Sequence, residues 1–154
     1  MSEFVKMRQM DEAPLTVLIA DGDAWFRSEL RAELEQAQIH VVAEAGDHDE
    51  TIDLALELRP HVCLIDVDIP GGGGVAAAGI VATVLSETST VLLSSELTFG
   101  DVLASVQTGA AGCLAKSTAP PRIVAAVRAV ADGESAYPRR ELREALGFLV
   151  PELA

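Results

Sequence analysis

The stretch that decides the fold is VCLIDVDIPG, residues 62–71. Four apolar residues run without interruption to Ile65 and stop at Asp66, and a second aspartate, a proline and a run of glycines follow. A continuous apolar run of this length, bounded by turn residues, is typical of a strand buried on both faces of a parallel sheet. Asp66 would then lie at the carboxyl edge of that sheet, where open α/β folds place their sites. Asp66 is therefore the first candidate for the chemical centre of the protein.

Strand and helix patterns alternate regularly on both sides of this stretch. This alternation predicts parallel pairing with right-handed crossovers, so the expected fold class is α/β: a doubly wound, five-stranded parallel sheet in the order 2-1-3-4-5, flavodoxin-like, with helices on both faces. The helix pattern of residues 75–86 carries few charges and is expected to be largely covered. We expect a disordered leader over residues 1–14, one domain over 15–134, and a linker or short C-terminal helix over 135–154. The predicted strands are residues 15–20, 39–43, 62–65, 90–93 and 112–115.

Composition narrows the class of protein. The formal net charge of -13 argues against a nucleic-acid surface on this chain, because phosphate binding needs clustered Lys and Arg, and it also disfavours an anionic membrane surface. No apolar run is long enough to span a membrane, and the N-terminus lacks the core of a signal peptide. The two cysteines, Cys63 and Cys113, lie in strand-like runs and are expected to be buried thiols in a reducing compartment. We therefore expect a cytoplasmic protein.

Residues with reactive side chains follow four of the five predicted strands. They are Asp21 and Asp23 after strand one, Asp66 after strand three, Ser94 after strand four and Lys116 after strand five. Parallel strands deliver their last residues to one edge, so these side chains should converge there. Clustered carboxylates are stable together with a cation, and Mg²⁺ suits an oxygen-ligand site that binds phosphate. A carboxylate nucleophile beside Mg²⁺ and an ammonium is an acceptor for a phosphoryl group. Taken singly, Asp23 also reads as a helix cap and Lys116 as a solvated strand end.

Several segments, in order and at matching spacings, resemble one family. Together they resemble the receiver domain of two-component response regulators, in the NarL/LuxR-type branch whose members usually carry a C-terminal helix-turn-helix. The resemblance covers residues 15–134, which are then a receiver domain. The segments are VLIAD (17–21), AEAGD (43–47), LELRP (56–60), LIDVDIPG (64–71), GAAGCLAK (109–116) and residues 119–134.

The resemblance assigns a role to each site residue. Asp66 matches the phospho-acceptor, Ser94 the switch hydroxyl and Lys116 the conserved lysine. Asp21, Asp66 and the backbone carbonyl of Asp68 match the Mg²⁺ ligands. The resemblance further implies a phosphoprotein that is not an enzyme. Its phosphoryl donor would be a sensor histidine kinase, and it would form a homodimer, since receivers of this branch commonly dimerise.

The sequence departs from the family pattern at two positions of the site. Gly22 stands where the family has a second acid, and Cys113 replaces an aromatic residue. Asp23 is the candidate that takes over the lost metal contact; without it, Mg²⁺ binding should weaken by roughly 1–3 kcal/mol, the usual worth of a charged contact. These departures favour an alternative, a pseudo-receiver that keeps the fold as an interaction domain but phosphorylates poorly. A more remote alternative, a haloacid-dehalogenase-like phosphatase, rests on the DVD motif of residues 66–68 alone.

The last part of the chain bears on DNA binding. Residues 135–154 are too few for a helix-turn-helix, so we expect no contact with nucleic acid by this chain itself. It is either a receiver taken from a longer regulator, with the LuxR-type DNA-binding domain lying outside it, or a stand-alone receiver with a short tail.

Overall fold

The computed structural model describes residues 13–153, and most of the leader predicted over residues 1–14 lies outside that part of the chain. Strands and helices alternate as the sequence predicts, and a further helix and a short 3-10 turn (Pro151–Leu153) follow. The elements are β1 (Thr16–Ala20), α1 (Ala24–Gln36), β2 (His40–Ala45), α2 (His48–Leu58), β3 (Val62–Asp66), α3 (Gly74–Val84), β4 (Ser89–Ser94), α4 (Phe99–Thr108), β5 (Gly112–Ala115), α5 (Pro120–Ala131) and α6 (Arg139–Leu149).

The five strands form one parallel sheet in the order β2-β1-β3-β4-β5, which confirms the predicted fold. The register aligns the carboxyl ends of the central strands, with Ile65 opposite both Ala20 and Leu92, and Ser94 opposite Ala115. Residues that follow β1, β3, β4 and β5 therefore come to one edge. Within residues 13–153, no helix is long and apolar enough to cross a membrane.

Strand β3 is buried along its whole length, as its unbroken apolar run predicts. Alternate residues point to opposite faces: Cys63 and Ile65 pack under α2, α3 and α4, whereas Val62 and Leu64 pack under α1 and α5. Each face of the sheet is thus covered by a layer of aliphatic side chains and helices. Asp66 continues this buried strand and is itself only 7% exposed.

Helix α3 differs from its sequence-based prediction. The lack of charge predicts a largely covered helix, but Ile80 is 41% exposed and Val84 is 58% exposed. The reason is that α3 buries only the face that carries Ala77, Ala78 and Val81. Its outer face is apolar and open to solvent.

Residues 136–149 pack onto the domain. Ala136 runs parallel to β5: its carbonyl accepts the Cys113 N–H at 3.0 Å, and its own N–H donates to the Ala111 carbonyl at 2.9 Å. Gly112 faces this contact closely enough that a Cβ there would collide with the Ala136 carbonyl oxygen. The Tyr137 hydroxyl then donates to the Ala110 carbonyl, and burial raises the pKa of Tyr137 to about 12.

Helix α6 follows and packs on α4. Ala145 is completely buried in this contact, and the Phe148 ring meets the Phe99 ring edge to face at a centroid distance of 5.9 Å. Residues 136–149 therefore form a strap across β5 and α4, which we call the C-terminal strap.

Candidate functional site

Three predicted site residues meet at the carboxyl edge of the sheet. The Lys116 ammonium lies 2.5 Å from Asp21 Oδ2 and 3.3 Å from Asp66 Oδ2, so one cation bridges two carboxylates that come from different strands. The backbone N–H of Lys116 donates to the Ser94 carbonyl at 2.8 Å, which holds the end of β5 against β4. The ammonium also lies 4.9 Å from the centroid of the Phe26 ring.

The electrostatics of this cluster leave Asp66 poorly compensated. Burial raises the pKa of Asp66, and the charge of Asp21 raises it further, against the lowering effects of the Asp68 N–H and of Lys116. For Lys116, burial opposes the charged form, but the two carboxylates outweigh burial and raise its pKa. With both acids ionised, the cluster carries a net charge of -1. Apart from the Lys116 ammonium, Asp21 Oδ2 has no partner among the described residues.

Asp68 contributes through its backbone. Its N–H donates to Asp66 Oδ1 at 3.1 Å, while its side chain is exposed. This bond orients the Asp66 carboxylate, so that one oxygen faces the loop backbone and the other faces Lys116.

Asp23 is placed differently from the other predicted metal ligands. Its Oδ1 accepts the N–H groups of Trp25 and Phe26 at 2.9 and 3.3 Å, and caps the first turn of α1. Its own N–H donates to Asp21 Oδ1 at 2.8 Å. The free amides of the helix start hold the carboxylate there. Across residues 13–153, no three His, Cys, Asp or Glu side chains are grouped to hold a metal ion, so the ligand role of Asp23 stays a prediction.

The loop between β3 and α3 is held by a residue that the sequence did not single out. Gly71 to Gly73 adopt φ values of +87°, +152° and +85°, which favour glycine, and Gly74 packs directly against the Asp66 carbonyl. His48, the first residue of α2, donates its backbone N–H to the Pro70 carbonyl at 2.8 Å, and its Nδ1 lies 3.0 Å from the Gly73 carbonyl. The sequence signal that could have found His48 was its place three residues past the end of β2, at the same edge of the sheet.

Ser94 is 4% exposed at the end of β4, and its hydroxyl makes its contacts with the β4–α4 region. Ser94 Oγ lies 2.8 Å from Asp101 Oδ2 and 2.9 Å from the Glu96 carbonyl, both as hydrogen-bond acceptors. The sequence did not single out Asp101. Its place three residues after Thr98, in a capping box, explains its position but does not predict the contact with Ser94.

The family described as the response regulator receiver domain matches residues 17–128, which is most of the chain. The chain belongs to this family. Membership agrees with the sheet order and with the cluster of Asp21, Asp66 and Lys116. It leaves the haloacid-dehalogenase-like alternative without support.

The relatives of this receiver are NarL/LuxR-type response regulators. The chain is 33% identical over 129 residues to the transcriptional regulatory protein YxjL of Bacillus subtilis, an alignment that covers 83% of this chain and 59% of that protein. It is also 33% identical over 133 residues to the nitrate/nitrite response regulator protein NarP of Escherichia coli, covering 85% and 62%. The receiver thus spans about three fifths of the length of these relatives.

Solved structures give the same assignment. The signal receiver domain of NarL from Mycobacterium tuberculosis superposes with a TM-score of 0.76 at 30% identity, covering 80% of this chain and all of that one. A LuxR-family response regulator from Aurantimonas superposes with a TM-score of 0.80 at 25% identity, covering 86% and 97%.

Gly22 and Cys113 are the two site positions at which this receiver departs from the family pattern, and both have other residues close by. A Cβ at Gly22 would lie 3.0 and 3.1 Å from Cδ and Cγ of Pro70, so an acid there requires the proline ring to yield by a few tenths of an ångström. Cys113 is fully buried, and burial raises the pKa of its thiol. The C-terminal strap is hydrogen-bonded to its backbone.

Proposed function

We propose that this receiver accepts a phosphoryl group on Asp66 from a sensor histidine kinase and thereby changes the contacts that it makes with its partners. The observation that carries the proposal is the bridge from Lys116 to both Asp21 and Asp66. A structural ion pair needs one carboxylate, whereas this ammonium sits between two. Even with this ammonium nearby, the pKa of the buried Asp66 is raised, which marks an unfavourable negative charge.

The chemistry follows from the placement of these groups. An Asp66 carboxylate oxygen attacks phosphorus, forming a P–O bond while the bond from phosphorus to the donor breaks, and the bonding electron pair leaves with the donor. Lys116, 3.3 Å from Asp66 Oδ2, neutralises charge that develops on the transferred oxygens. The Asp68 N–H holds the other oxygen of the nucleophile in place.

The donor set fits a hard divalent cation. Asp21 and Asp66 supply carboxylate oxygens at a site of net charge -1, and Asp21 Oδ2 retains capacity for a second partner. Receiver domains generally bind Mg²⁺ for phosphorylation, and here Asp21, Asp66 and the Asp68 carbonyl would hold it, with Asp23 as a further candidate. When bound, the ion supplies positive charge beside the phosphoryl oxygens.

The pseudo-receiver remains a second candidate because of one observation. Asp23, the acid nearest to the missing one, is occupied as the cap of α1. Breaking that cap costs about 1 kcal/mol, which lowers any gain from a metal contact.

A direct test is phosphorylation by acetyl phosphate with and without millimolar Mg²⁺, followed by intact-mass spectrometry. We expect Mg²⁺-dependent addition of one phosphoryl group to the wild-type protein and none to Asp66→Asn. Gly22→Asp should tighten Mg²⁺ binding by about tenfold, because it returns a charged ligand. Absence of the modification in wild-type protein together with its appearance in Gly22→Asp would establish the pseudo-receiver. Modification of Asp66→Asn would show that Asp66 is not the acceptor.

Two further kinds of partner are proposed for this receiver: a second copy of the chain and a transcriptional output. A homodimer is expected from the branch to which the receiver belongs. Relatives such as YxjL are named as transcriptional regulators, and we propose that this receiver serves the same kind of output. Because the net charge is -13, DNA would be contacted by a domain other than this one.

A further inference from the structure

The hydroxyl of Ser94 has one hydrogen and two acceptors, both on the side of α4. Its Oγ lies 2.8 Å from Asp101 Oδ2 and 2.9 Å from the Glu96 carbonyl. Of these, the Asp101 carboxylate is the stronger acceptor, because hydrogen bonds to ionised groups are worth about twice those between neutral groups. Ser94 is 4% exposed, so water competes weakly for this bond.

The contact with Ser94 is additional to the role of Asp101 in its helix. Asp101 Oδ2 already accepts the Thr98 N–H at 3.2 Å, while Thr98 Oγ1 accepts the Asp101 N–H at 3.1 Å, which completes the capping box of α4. The box satisfies the helix start without Ser94. The same carboxylate oxygen therefore holds both the first turn of α4 and the end of β4.

We propose that Asp101 is a positioning residue that holds the Ser94 hydroxyl away from Asp66 and so sets the energy needed to enter the phosphorylated state. The proposal rests on the phosphoryl acceptance proposed above. A phosphoryl group on Asp66 gives Ser94 a competing anionic acceptor, and Ser94 must leave Asp101 to use it. Some ligands bind only when the Ser94 hydroxyl has turned from Asp101 towards Asp66. The apparent dissociation constant of such a ligand is its intrinsic value divided by the fraction of molecules in which Asp101 has released the hydroxyl.

Asp101→Asn is the matched variant. It keeps the size of the side chain and an oxygen that can accept the Thr98 N–H, but it removes the charge that strengthens the bond to Ser94. The dissociation constant of beryllofluoride, a phosphoryl mimic, is measured at saturating Mg²⁺ from the fluorine NMR signal of the bound species. We expect Asp101→Asn to bind about fivefold tighter than wild type. Asp101→Ser, which also withdraws the carboxylate, should shift the affinity in the same direction.

Two controls separate positioning from helix stability. Thr98→Ala breaks the other half of the same capping box without touching Ser94, and should leave the dissociation constant within about twofold of wild type. In a Ser94→Ala background, Asp101→Asn should have no effect, because the hydroxyl that it releases is gone.

An unchanged or weaker affinity in Asp101→Asn, an equal gain in Thr98→Ala, or a gain that persists in the Ser94→Ala background would overturn the role of Asp101 and leave phosphoryl acceptance intact. If wild-type protein and all variants fail to bind beryllofluoride with Mg²⁺, the proposed function fails and this inference fails with it.

Discussion

At the scale of single residues, Asp66 combines a buried position with an unfavourable charge. Its carboxylate shares one ammonium with Asp21 and, within residues 13–153, accepts one further hydrogen bond, from the Asp68 N–H. Burial and the neighbouring acid together outweigh both compensating groups, so the pKa of Asp66 is raised. The folded protein is therefore less stable at neutral pH than it would be with a neutral group at this position.

Asp66→Asn is expected to raise the melting temperature at pH 7. Since the pKa of Asp66 is higher in the folded than in the unfolded chain, its stabilising contribution is fully present below the unfolded value, near 3.8, and is lost as pH rises through the folded pKa. The advantage of the variant should thus shrink as pH falls towards 4. Thermal denaturation between pH 7 and pH 4 measures the difference in melting temperature between the variant and the wild type. A difference that stays constant or grows on acidification would contradict the raised pKa of Asp66.

Addition of Mg²⁺ provides a control for the same variant. Millimolar Mg²⁺ should raise the melting temperature of the wild type, because the ion binds only the folded site, and should do so less for Asp66→Asn.

Which site residues can be predicted from sequence depends on what places them. Asp66 ends β3, while Asp21 and Lys116 directly follow β1 and β5, so the parallel direction of the strands brings all three to one edge of the sheet. From the sequence, Asp23 is equally well explained as a ligand or a cap; the start of α1 shows the cap, and the ligand role stays a prediction. The hydrogen bond from Ser94 to Asp101 depends on the path of the β4–α4 loop, which no periodicity encodes.

At the scale of elements, the contact between β5 and the C-terminal strap is closer than a side chain allows. A Cβ at Gly112 would collide with the backbone oxygen of Ala136, which cannot turn away as a side chain does. Gly112→Ala is expected to destabilise the protein by about 1–3 kcal/mol, the usual cost of overpacking, and to detach the strap. Increased reactivity of the buried Cys113 thiol towards a thiol reagent would report the detachment.

Gly100→Ala is the matched control for this substitution. Gly100 lies in α4, where the nearest atom to an added Cβ is Thr98 Oγ1 at an ordinary 3.6 Å. Alanine favours a helix, so this variant should be neutral or up to about 1 kcal/mol more stable. Equal stability of Gly112→Ala and Gly100→Ala in urea denaturation would refute the close contact.

At the scale of the whole molecule, the order of the sheet follows from sequence while the packing of its last part does not. Alternation of strands and helices leaves few topologies, and the observed order is one of the common doubly wound ones. Helix α6 shows an amphipathic pattern over residues 139–149, but such a pattern does not say which surface it meets. In the structure, the pairing of Ala136 beside β5 and the bond from Tyr137 to the Ala110 carbonyl lead the chain into α6, which packs on α4. For α3, low charge was a poor guide because exposed positions can also be apolar.

The pairing of Ala136 has a consequence for solubility. Without it, the N–H of Cys113 and the carbonyl of Ala111 would stand unpaired along an outer strand, beside the apolar side chains of α4. An open strand edge of this kind recruits strands from other molecules. Protein cut after Gly133 should therefore form assemblies that grow with concentration beyond a dimer in light scattering, whereas protein cut after Leu149 should not. By pairing with its own sheet, the strap covers this strand edge, and we expect it to protect the protein from aggregation.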